Sequence, residues 1–190
     1  MRQPIRACAL LAIGMFALVP LGTAKADPIG IAALLPPPGN VFPVRGAVVY
    51  GQGEARYGAD RGGRMHEGQD LFAPAGTPLV AVRDVKVLEA GDGGGRGNYV
   101  ALYSAAANET YVYMHMLEPA AVRPGQRLRA GQQVGKVGCT GSCWGDHLHF
   151  ELRAGRGSQA PVRNPLPLLH WLERGQRPGL TGSTRRANSA

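Results

Sequence analysis

The stretch His147-Leu148-His149-Phe150-Glu151-Leu152 decides the fold class of this chain. It has the length of a strand, and alternate side chains of a strand share a face, so both histidines and the glutamate project to one side. The three apolar residues project to the other side and suit a core. Two neighbouring imidazoles are difficult for a core to satisfy, and they suit a metal site. The segment therefore predicts a half-buried β-strand with polar chemistry on one face.

Short runs of apolar, β-branched and aromatic residues recur along the chain, separated by glycine-rich turns. They cover residues 41–50, 78–88, 98–103, 110–116 and 133–137. The chain has 28 glycines, and the runs are too closely spaced for crossover helices between them. We therefore predict a mostly β fold. One short helix is expected over residues 165–173, where it would cover an end of the sheet.

The N-terminus has the three parts of a secretory signal. Arg2 and Arg6 supply a positive start, residues 7–21 supply an apolar stretch, and Ala24-Lys25-Ala26 supplies a cleavage pattern of small residues. We expect a signal peptide over residues 1–26 that is removed after its last alanine. The alternative is an uncleaved membrane anchor, but the apolar stretch is shorter than the roughly 20 residues that a spanning helix needs.

Removal of the signal would leave 164 residues, a length that suits one domain with one core. Residues 27–40 are rich in proline and predict a linker. The segment from 175 to 190 is polar, basic and poor in large apolar side chains, so a disordered tail is expected there. The folded domain is therefore predicted over residues 41–174, without a second module.

The chain is basic, and a basic surface suits an anionic partner. Its formal net charge is +8, and the signal segment carries three basic residues and no acid, so +5 remains after cleavage. No nucleic-acid motif is present, and an exported basic chain meets anionic wall polymers or lipid head groups. The alternative is that the charge only aids solubility.

A second polar cluster lies in His66-Glu67-Gly68-Gln69-Asp70. It is not a helical HExxH zinc motif, because its fifth residue is aspartate and its central glycine disfavours a helix. The cluster instead resembles a loop that enters a strand. Its histidine and aspartate, with one histidine of the His147/His149 pair, would give three protein ligands and leave a fourth zinc position open.

A third cluster lies in Tyr111-Val112-Tyr113-Met114-His115. Period-two alternation places Tyr111, Tyr113 and His115 on one face, so a phenol and an imidazole would line the same cleft. The alternative for Tyr113 is simple packing in a half-buried strand.

Three motifs in this order, His66-x-x-x-Asp70, Tyr113-x-His115 and His147-Leu148-His149-Phe150-Glu151, resemble the signature of lysostaphin/LytM-type zinc metallopeptidases. Residues 76–81, 97–100 and 122–132 are similar to the connecting strands and turns of that family. The resemblance covers about residues 42–152. It implies antiparallel, glycine-rich sheets that form an open groove or a partly closed barrel, with the metal on the sheet face.

The resemblance also implies roles for five side chains. His66, Asp70 and His149 would hold one Zn2+ per chain. His115 and His147 would stand beside the attacking water, orient it, accept its proton and stabilise the oxyanion.

Further roles are expected around these five residues. Tyr113 would donate a hydrogen bond to the substrate or the oxyanion. Glu151 would fix the tautomer of a ligand histidine, unless it is solvated at the sheet edge, and Asp146 is an alternative for the same role.

Cys139 and Cys143 lie just before the histidine-rich strand, and thiols pair under the oxidising conditions that an exported protein meets. We expect a disulfide that stiffens this turn. The family pattern does not require these cysteines. The alternative is a structural zinc site made of both cysteines with His147 and His149, but its ligand spacing fits poorly and leaves the other clusters unexplained.

The resemblance implies a zinc endopeptidase that cuts peptide cross-links or stem peptides of bacterial peptidoglycan. The alternatives are a non-catalytic activator or scaffold of wall hydrolases, and a peptidase with a protein substrate. Because all five key positions are present, an enzyme is favoured. We expect a monomer located in the periplasm or outside the cell, with peptidoglycan as its partner, no nucleic acid, and no stable membrane insertion after signal cleavage.

Overall fold

The structure, a computed structural model, describes residues 39–176. The predicted signal peptide, nearly all of the predicted linker and most of the predicted tail lie outside this range. Within it, ten β-strands and one α-helix alternate with turns and two short 3-10 helices (Gly53–Ala55 and Gly94–Arg96). The elements are β1 (Val49–Tyr50), β2 (Gln69–Phe72), β3 (Pro78–Val80), β4 (Val85–Asp92), β5 (Asn98–Ser104), β6 (Glu109–Met116), β7 (Arg127–Leu128), β8 (Gln133–Lys136), β9 (His147–Ala154), β10 (Val162–Arg163) and α1 (Leu166–Gln176).

The strands form two antiparallel sheets. The larger sheet has the order β1-β2-β9-β6-β5-β4-β7, with β10 paired to β9, and the smaller sheet pairs β3 with β8. In the described residues the end strands β1 and β7 do not pair with each other, so the large sheet stays open rather than closing into a barrel. The predicted mostly β class with antiparallel sheets is confirmed.

The core lies on one face of the large sheet. Leu148 and Phe150 of β9 are fully buried there, and burial of each such side chain contributes about 1.5–3 kcal/mol. The same core cluster includes Leu79 of the small sheet and Leu169 and Leu172 of α1. The opposite face of β9 is thereby left to its polar residues.

The predicted run 78–88 is two strands rather than one. β3 and β4 belong to different sheets, and the chain bends between them at residues 82–84. The Asp84 carboxylate stabilises this bend by accepting a hydrogen bond from the backbone N–H of Ala130, at 2.9 Å. Arg83 and Asp84 stand at the bend, but the apolar residues on both sides of them are buried, so the run resembles one strand in the sequence.

The predicted run 41–50 contains a strand only at its end. Val44 makes an isolated antiparallel bridge to Leu79, and regular pairing begins at Val49. Pro43 lacks a backbone donor and therefore interrupts a hydrogen-bonded ladder.

The helix lies where the sequence predicts it, three residues longer at its C-terminal end. Asn164 begins it, since its Oδ1 accepts a hydrogen bond from the backbone N–H of Leu166 at 3.0 Å. Its last residue, Gln176, falls within the segment predicted as tail. No helix within residues 39–176 is long and apolar enough to cross a membrane.

Candidate active site

Strand pairing brings three side chains to one point. In the β2–β9 ladder Asp70 lies directly opposite His149, and His66 lies in the loop just before β2. The Oδ1 atom of Asp70 is 2.9 Å from Nδ1 of His149 and 3.2 Å from Nε2 of His66. These two ring nitrogens are 3.0 Å apart. The three side chains are buried and could hold a metal ion.

Hydrogen bonds on the outer side of both rings determine which nitrogen is protonated. His66 donates from Nδ1 to the carbonyl oxygen of Arg56 at 2.9 Å, which leaves its Nε2 lone pair facing Asp70. His149 donates from Nε2 to Oε1 of Glu151 at 3.2 Å, which leaves its Nδ1 lone pair facing the same point.

These residues fit a metal ion. Two lone pairs and a carboxylate oxygen within 3.2 Å of one another repel unless a cation lies between them. Metal–ligand bonds of about 2.0–2.1 Å in a tetrahedral site would separate ligand atoms by about 3.3 Å, close to the spacing in the structure. Three ligands leave one position open, as in catalytic zinc sites.

The charge balance at this point favours a cation. Burial alone would raise the pKa of Asp70, but without a bound cation the hydrogen bonds that His149 and His66 donate to it hold that pKa well below its ordinary value. Burial alone would lower the pKa of His149, but without a bound cation its protonated ring donates to both Asp70 and Glu151, which raises that pKa above the ordinary value. The site therefore stabilises an anionic carboxylate and an added positive charge beside it.

His115 and His147 stand beside the three candidate ligands. Their ring centroids are 4.9 Å apart, and Nε2 of His147 is 3.6 Å from Oδ1 of Asp70. His115 donates from Nδ1 to the carbonyl of Thr140 at 2.8 Å, and His147 donates from Nδ1 to the carbonyl of Gly145 at 2.9 Å. Both Nε2 atoms are thereby left as proton acceptors.

Burial keeps these two histidines neutral. It lowers the pKa of His115 to about 4, and it also lowers the pKa of His147 below its ordinary value. Neutral imidazoles with a free Nε2 lone pair are suited to accept a proton at neutral pH.

Tyr113 does not line the cleft, contrary to the sequence-based expectation. The side chain is fully buried in the core, where its ring meets Phe150 edge-on at 5.3 Å. Its hydroxyl donates to the carbonyl oxygen of Val80 at 2.9 Å. The predicted contact with substrate or oxyanion is therefore corrected to a core-packing role.

The reason is a change of face at the end of β6. Met114 lies opposite His149 in the ladder, so Met114 and not Tyr113 shares the polar face of β9. His115 has φ of 63°, a left-handed conformation that is rare for non-glycine residues. This backbone conformation breaks the two-residue alternation and turns His115 to the polar face as well.

Glu151 continues into an ion-pair network that runs from the buried site to the surface. Its carboxylate, besides accepting from His149, accepts from the guanidinium of Arg153, which also pairs with Glu67 at 2.6 Å. Arg153 was missed from the sequence, although period-two alternation along β9 places it on the same face as Glu151. Asp146, the alternative partner for a ligand histidine, is exposed.

Arg61 is a second residue that the sequence did not reveal. It donates to Oδ2 of Asp70 at 3.1 Å, and two of its nitrogens donate to the carbonyl of Glu54 at 2.7 and 2.9 Å. The hydrogen bond from Arg61 occupies Oδ2 of Asp70, so Oδ1 remains the oxygen that faces His66 and His149. Arg61 lies in an irregular loop, where no periodic pattern points to a neighbour.

Gly68 leaves space for a candidate ligand. A Cβ at this position would lie 2.5 Å from Nε2 of His149 and 2.9 Å from the carbonyl oxygen of Phe150. Any side chain here would displace the ring, so the motif requires a glycine for steric reasons.

The site opens into a cleft of about 540 Å³ with a basic wall. Glu67 and Glu151 also line it, and both pair with Arg153. The four arginines that line it are Arg61, Arg64, Arg96 and Arg153.

Cys139 and Cys143 are joined by a disulfide, with their Cα atoms 5.3 Å apart. Disulfide sulfurs are not thiolate ligands, so the alternative zinc site that uses both cysteines does not fit the structure. The disulfide instead closes a turn beside His147, whose Nδ1 lies 3.7 Å from the sulfur of Cys143.

Comparison with known proteins gives a family. Residues 64–161 match peptidase family M23. The chain is 36% identical over 120 residues to the glycyl-glycine endopeptidase ALE-1 of Staphylococcus capitis, covering 63% of this chain and 33% of that protein. It is 38% identical over 104 residues to the DD-carboxypeptidase/endopeptidase Mpg of Neisseria meningitidis, covering 55% of this chain and 24% of that protein. These matches span about a third or less of the relatives' length.

A solved structure supports the same family assignment. The catalytic domain of the antimicrobial peptidase lysostaphin from Staphylococcus simulans superimposes with a TM-score of 0.57 at 34% identity, covering 65% of this chain and 92% of that one. The match confirms the resemblance that the three histidine motifs indicate. The chain therefore belongs to peptidase family M23, in its lysostaphin/LytM-type group.

Proposed function

We propose that this chain is a zinc-dependent endopeptidase that hydrolyses peptide cross-links or stem peptides of bacterial peptidoglycan. The observation that carries the proposal is the convergence of five side chains around one point. The candidate ligand atoms of His66, Asp70 and His149 lie within 3.2 Å of one another, and His147 Nε2 lies 3.6 Å from the same carboxylate oxygen. A non-catalytic scaffold has no need of His115 and His147 beside a complete ligand set.

Zinc is the metal that the donor set suits. Two imidazole nitrogens and one carboxylate oxygen with an open position are typical of catalytic zinc sites. A bound zinc ion would lower the pKa of a coordinated water towards about 7 and polarise a peptide carbonyl. His66, Asp70 and His149 would hold it, while Arg61 and Glu151 keep two of these ligands in position.

His115 and His147 supply proton transfer. Each offers a neutral Nε2, because its Nδ1 is held by a backbone carbonyl. His147 lies nearer the candidate ligands and would accept the proton of the attacking water. A ring that has gained this proton can stabilise the oxyanion or pass the proton to the leaving amine.

The substrate is proposed from the shape and charge of the cleft. An open sheet with a cleft of about 540 Å³ suits an extended peptide better than a small enclosed ligand. Arg64 and Arg96 line the cleft outside the ligand set. Their charges favour peptides that carry carboxylates, as the stem peptides of peptidoglycan do.

The cellular setting is proposed from the sequence pattern. Residues 1–26 would direct export and be removed, and a peptidase domain over residues 41–174 would then act as a monomer in the periplasm or at the cell wall. The linker and the basic tail would flank it. Neither nucleic acid nor a lasting membrane anchor is part of this proposal.

The test is digestion of purified peptidoglycan, with products identified by mass. Zinc-loaded protein should release cleaved cross-links or stem peptides, and a zinc chelator or His147→Ala should abolish release. His170→Ala is the matched control, because this exposed histidine of α1 packs at a tilt against Tyr50, with ring centroids 5.1 Å apart, and does not line the cleft. No cleavage by folded, zinc-loaded protein would refute the endopeptidase proposal and favour the scaffold.

A further inference from the structure

The turn before β9 carries hydrogen-bond acceptors for both non-ligand histidines. Thr140 accepts from His115 through its carbonyl at 2.8 Å, and Gly145 accepts from His147 at 2.9 Å. Because a carbonyl only accepts, both rings must be protonated at Nδ1 and free at Nε2. The conformation of one turn thus determines the tautomer of both proton-accepting side chains.

The two acceptors are not held in the same way. The Thr140 side of the turn is fixed by its own hydrogen bonds, since Oγ1 accepts from the backbone N–H of Asn98 at 2.9 Å and donates to the carbonyl of Met116 at 2.8 Å. The backbone N–H of Ser142 also donates to Gly95 at 3.0 Å. This half of the turn is anchored to neighbouring segments by hydrogen bonds of its own.

The Gly145 side lacks such anchors. In the part of the chain that the structure describes, no backbone–backbone hydrogen bond involves residues 144–146. Gly145 is exposed and has φ of 86°, and Trp144 is 62% exposed with its ring 5.8 Å from Phe72. Gly145 lies two residues from an attached residue on each side: Cys143, which the disulfide ties to Cys139, and His147, whose backbone N–H bonds to Gly138.

The other cysteine of the disulfide, Cys139, lies next to a residue that pairs with His147. Cys139 follows Gly138, whose carbonyl accepts a hydrogen bond from the backbone N–H of His147 at 3.2 Å. The disulfide therefore links the loose half of the turn to the segment that pairs with the start of β9. The disulfide therefore restricts the position of the Gly145 carbonyl, which bonds to the ring of His147.

We infer that the Cys139–Cys143 disulfide is a positioning element for His147, which keeps the Gly145 carbonyl where it holds His147 Nδ1. The inference rests on the proposed function for its effect on catalysis. Reduction should free Gly145, allow His147 to exchange tautomers, and lower kcat. His66, Asp70 and His149 lie outside the turn, so metal should remain bound.

The test compares oxidised and reduced zinc-loaded protein, with a phosphine as reductant because thiols bind zinc. The disulfide gains two electrons and two protons to give two thiols, and the phosphine becomes its oxide with oxygen from water. The readouts are kcat and KM on peptidoglycan fragments, bound zinc, and the ring tautomers of His147 and His115 by nitrogen-15 NMR.

The expected result is a fall in kcat of about tenfold or more on reduction, with KM within about twofold and zinc retained. His147 should lose its single Nδ1-protonated tautomer while His115 keeps it, and reoxidation should restore both kcat and tautomer. The double variant Cys139→Ser/Cys143→Ser should have the kcat and the His147 tautomers of the reduced protein, and the phosphine should not change either. Asp146→Asn is the matched control, since this exposed side chain lies in the same turn and does not line the cleft.

Unchanged kcat together with an unchanged His147 tautomer in the reduced protein would overturn the inference. Loss of zinc on reduction would overturn it too, since the disulfide would then support the metal site rather than one ring. If no form cleaves peptidoglycan, the proposed function fails, and the NMR tautomers still decide whether the disulfide positions His147.

Discussion

Asp70 and His149 face each other across the β2–β9 ladder, with Oδ1 and Nδ1 2.9 Å apart. Antiparallel register, rather than loop conformation, therefore sets the distance between two candidate ligands. Rigid elements hold a metal site more precisely than loops do. Of the three candidate ligands only His66 comes from a loop, and the carbonyl of Arg56 holds its ring.

Asp70→Asn should weaken zinc binding by at least about 100-fold, because substitutions that only disturb a ligand's partners already cost about 10–100-fold. The amide of asparagine is neutral, so it lacks the negative charge with which the carboxylate attracts the metal ion. Competition with a chromophoric chelator measures the affinity. Asp146→Asn is the control, since Asp146 is exposed. Equal zinc affinity in both variants would exclude Asp70 as a ligand.

Gly68→Ala should destabilise the fold by about 1–3 kcal/mol and weaken zinc binding, because the added methyl would overlap His149 and the strand beside it. Thermal unfolding and zinc titration measure the two effects. Gly91→Ala is the matched control, since its Cβ would meet Tyr99 at an ordinary 3.5 Å. A Gly68→Ala protein with native stability and zinc affinity would show that the ring can move aside without cost.

Much of the site could be predicted from the sequence, because period-two alternation in β9 holds over its whole length. His147, His149 and Glu151 share one face as expected, and the same rule extends to Arg153. The rule failed in β6, where His115 adopts φ of 63°. A left-handed backbone at a non-glycine residue has no signature in the residue order, so Tyr113 was placed on the wrong face.

The other misses have physical causes too. Arg61 reaches Asp70 from an irregular loop, so tertiary folding alone brings the two together. The bend between β3 and β4 is stabilised by Asp84 and Ala130, which are 46 residues apart. Sequence periodicity reports local geometry, and it does not report such long-range contacts.

Tyr113→Phe should lower stability by about 1–2 kcal/mol and leave kcat unchanged, because the lost hydroxyl leaves the carbonyl of Val80 without its buried donor. Chemical denaturation and turnover on peptidoglycan fragments measure the two quantities. Tyr103→Phe is the control, since its hydroxyl bonds Asn108 at the surface and its loss should cost little. A large drop in kcat for Tyr113→Phe would contradict the core-packing role and support the hydrogen bond to substrate or oxyanion that the sequence predicts.

Arg64→Gln and Arg96→Gln should each raise KM several-fold for stem peptides with free carboxylates and leave kcat nearly unchanged, because both side chains line the cleft outside the ligand set. The effect should shrink for amidated peptides, and it should also shrink at high salt, where a Debye length of about 3 Å at 1 M screens exposed charges. Arg174→Gln is the matched control, because Arg174 is exposed on α1 and does not line the cleft. Steady-state kinetics on paired free and amidated peptides provide the measurement. Equal KM for both peptides in the unmodified protein would show that the cleft does not select for charge, and the arginines would then serve the fold or solubility instead.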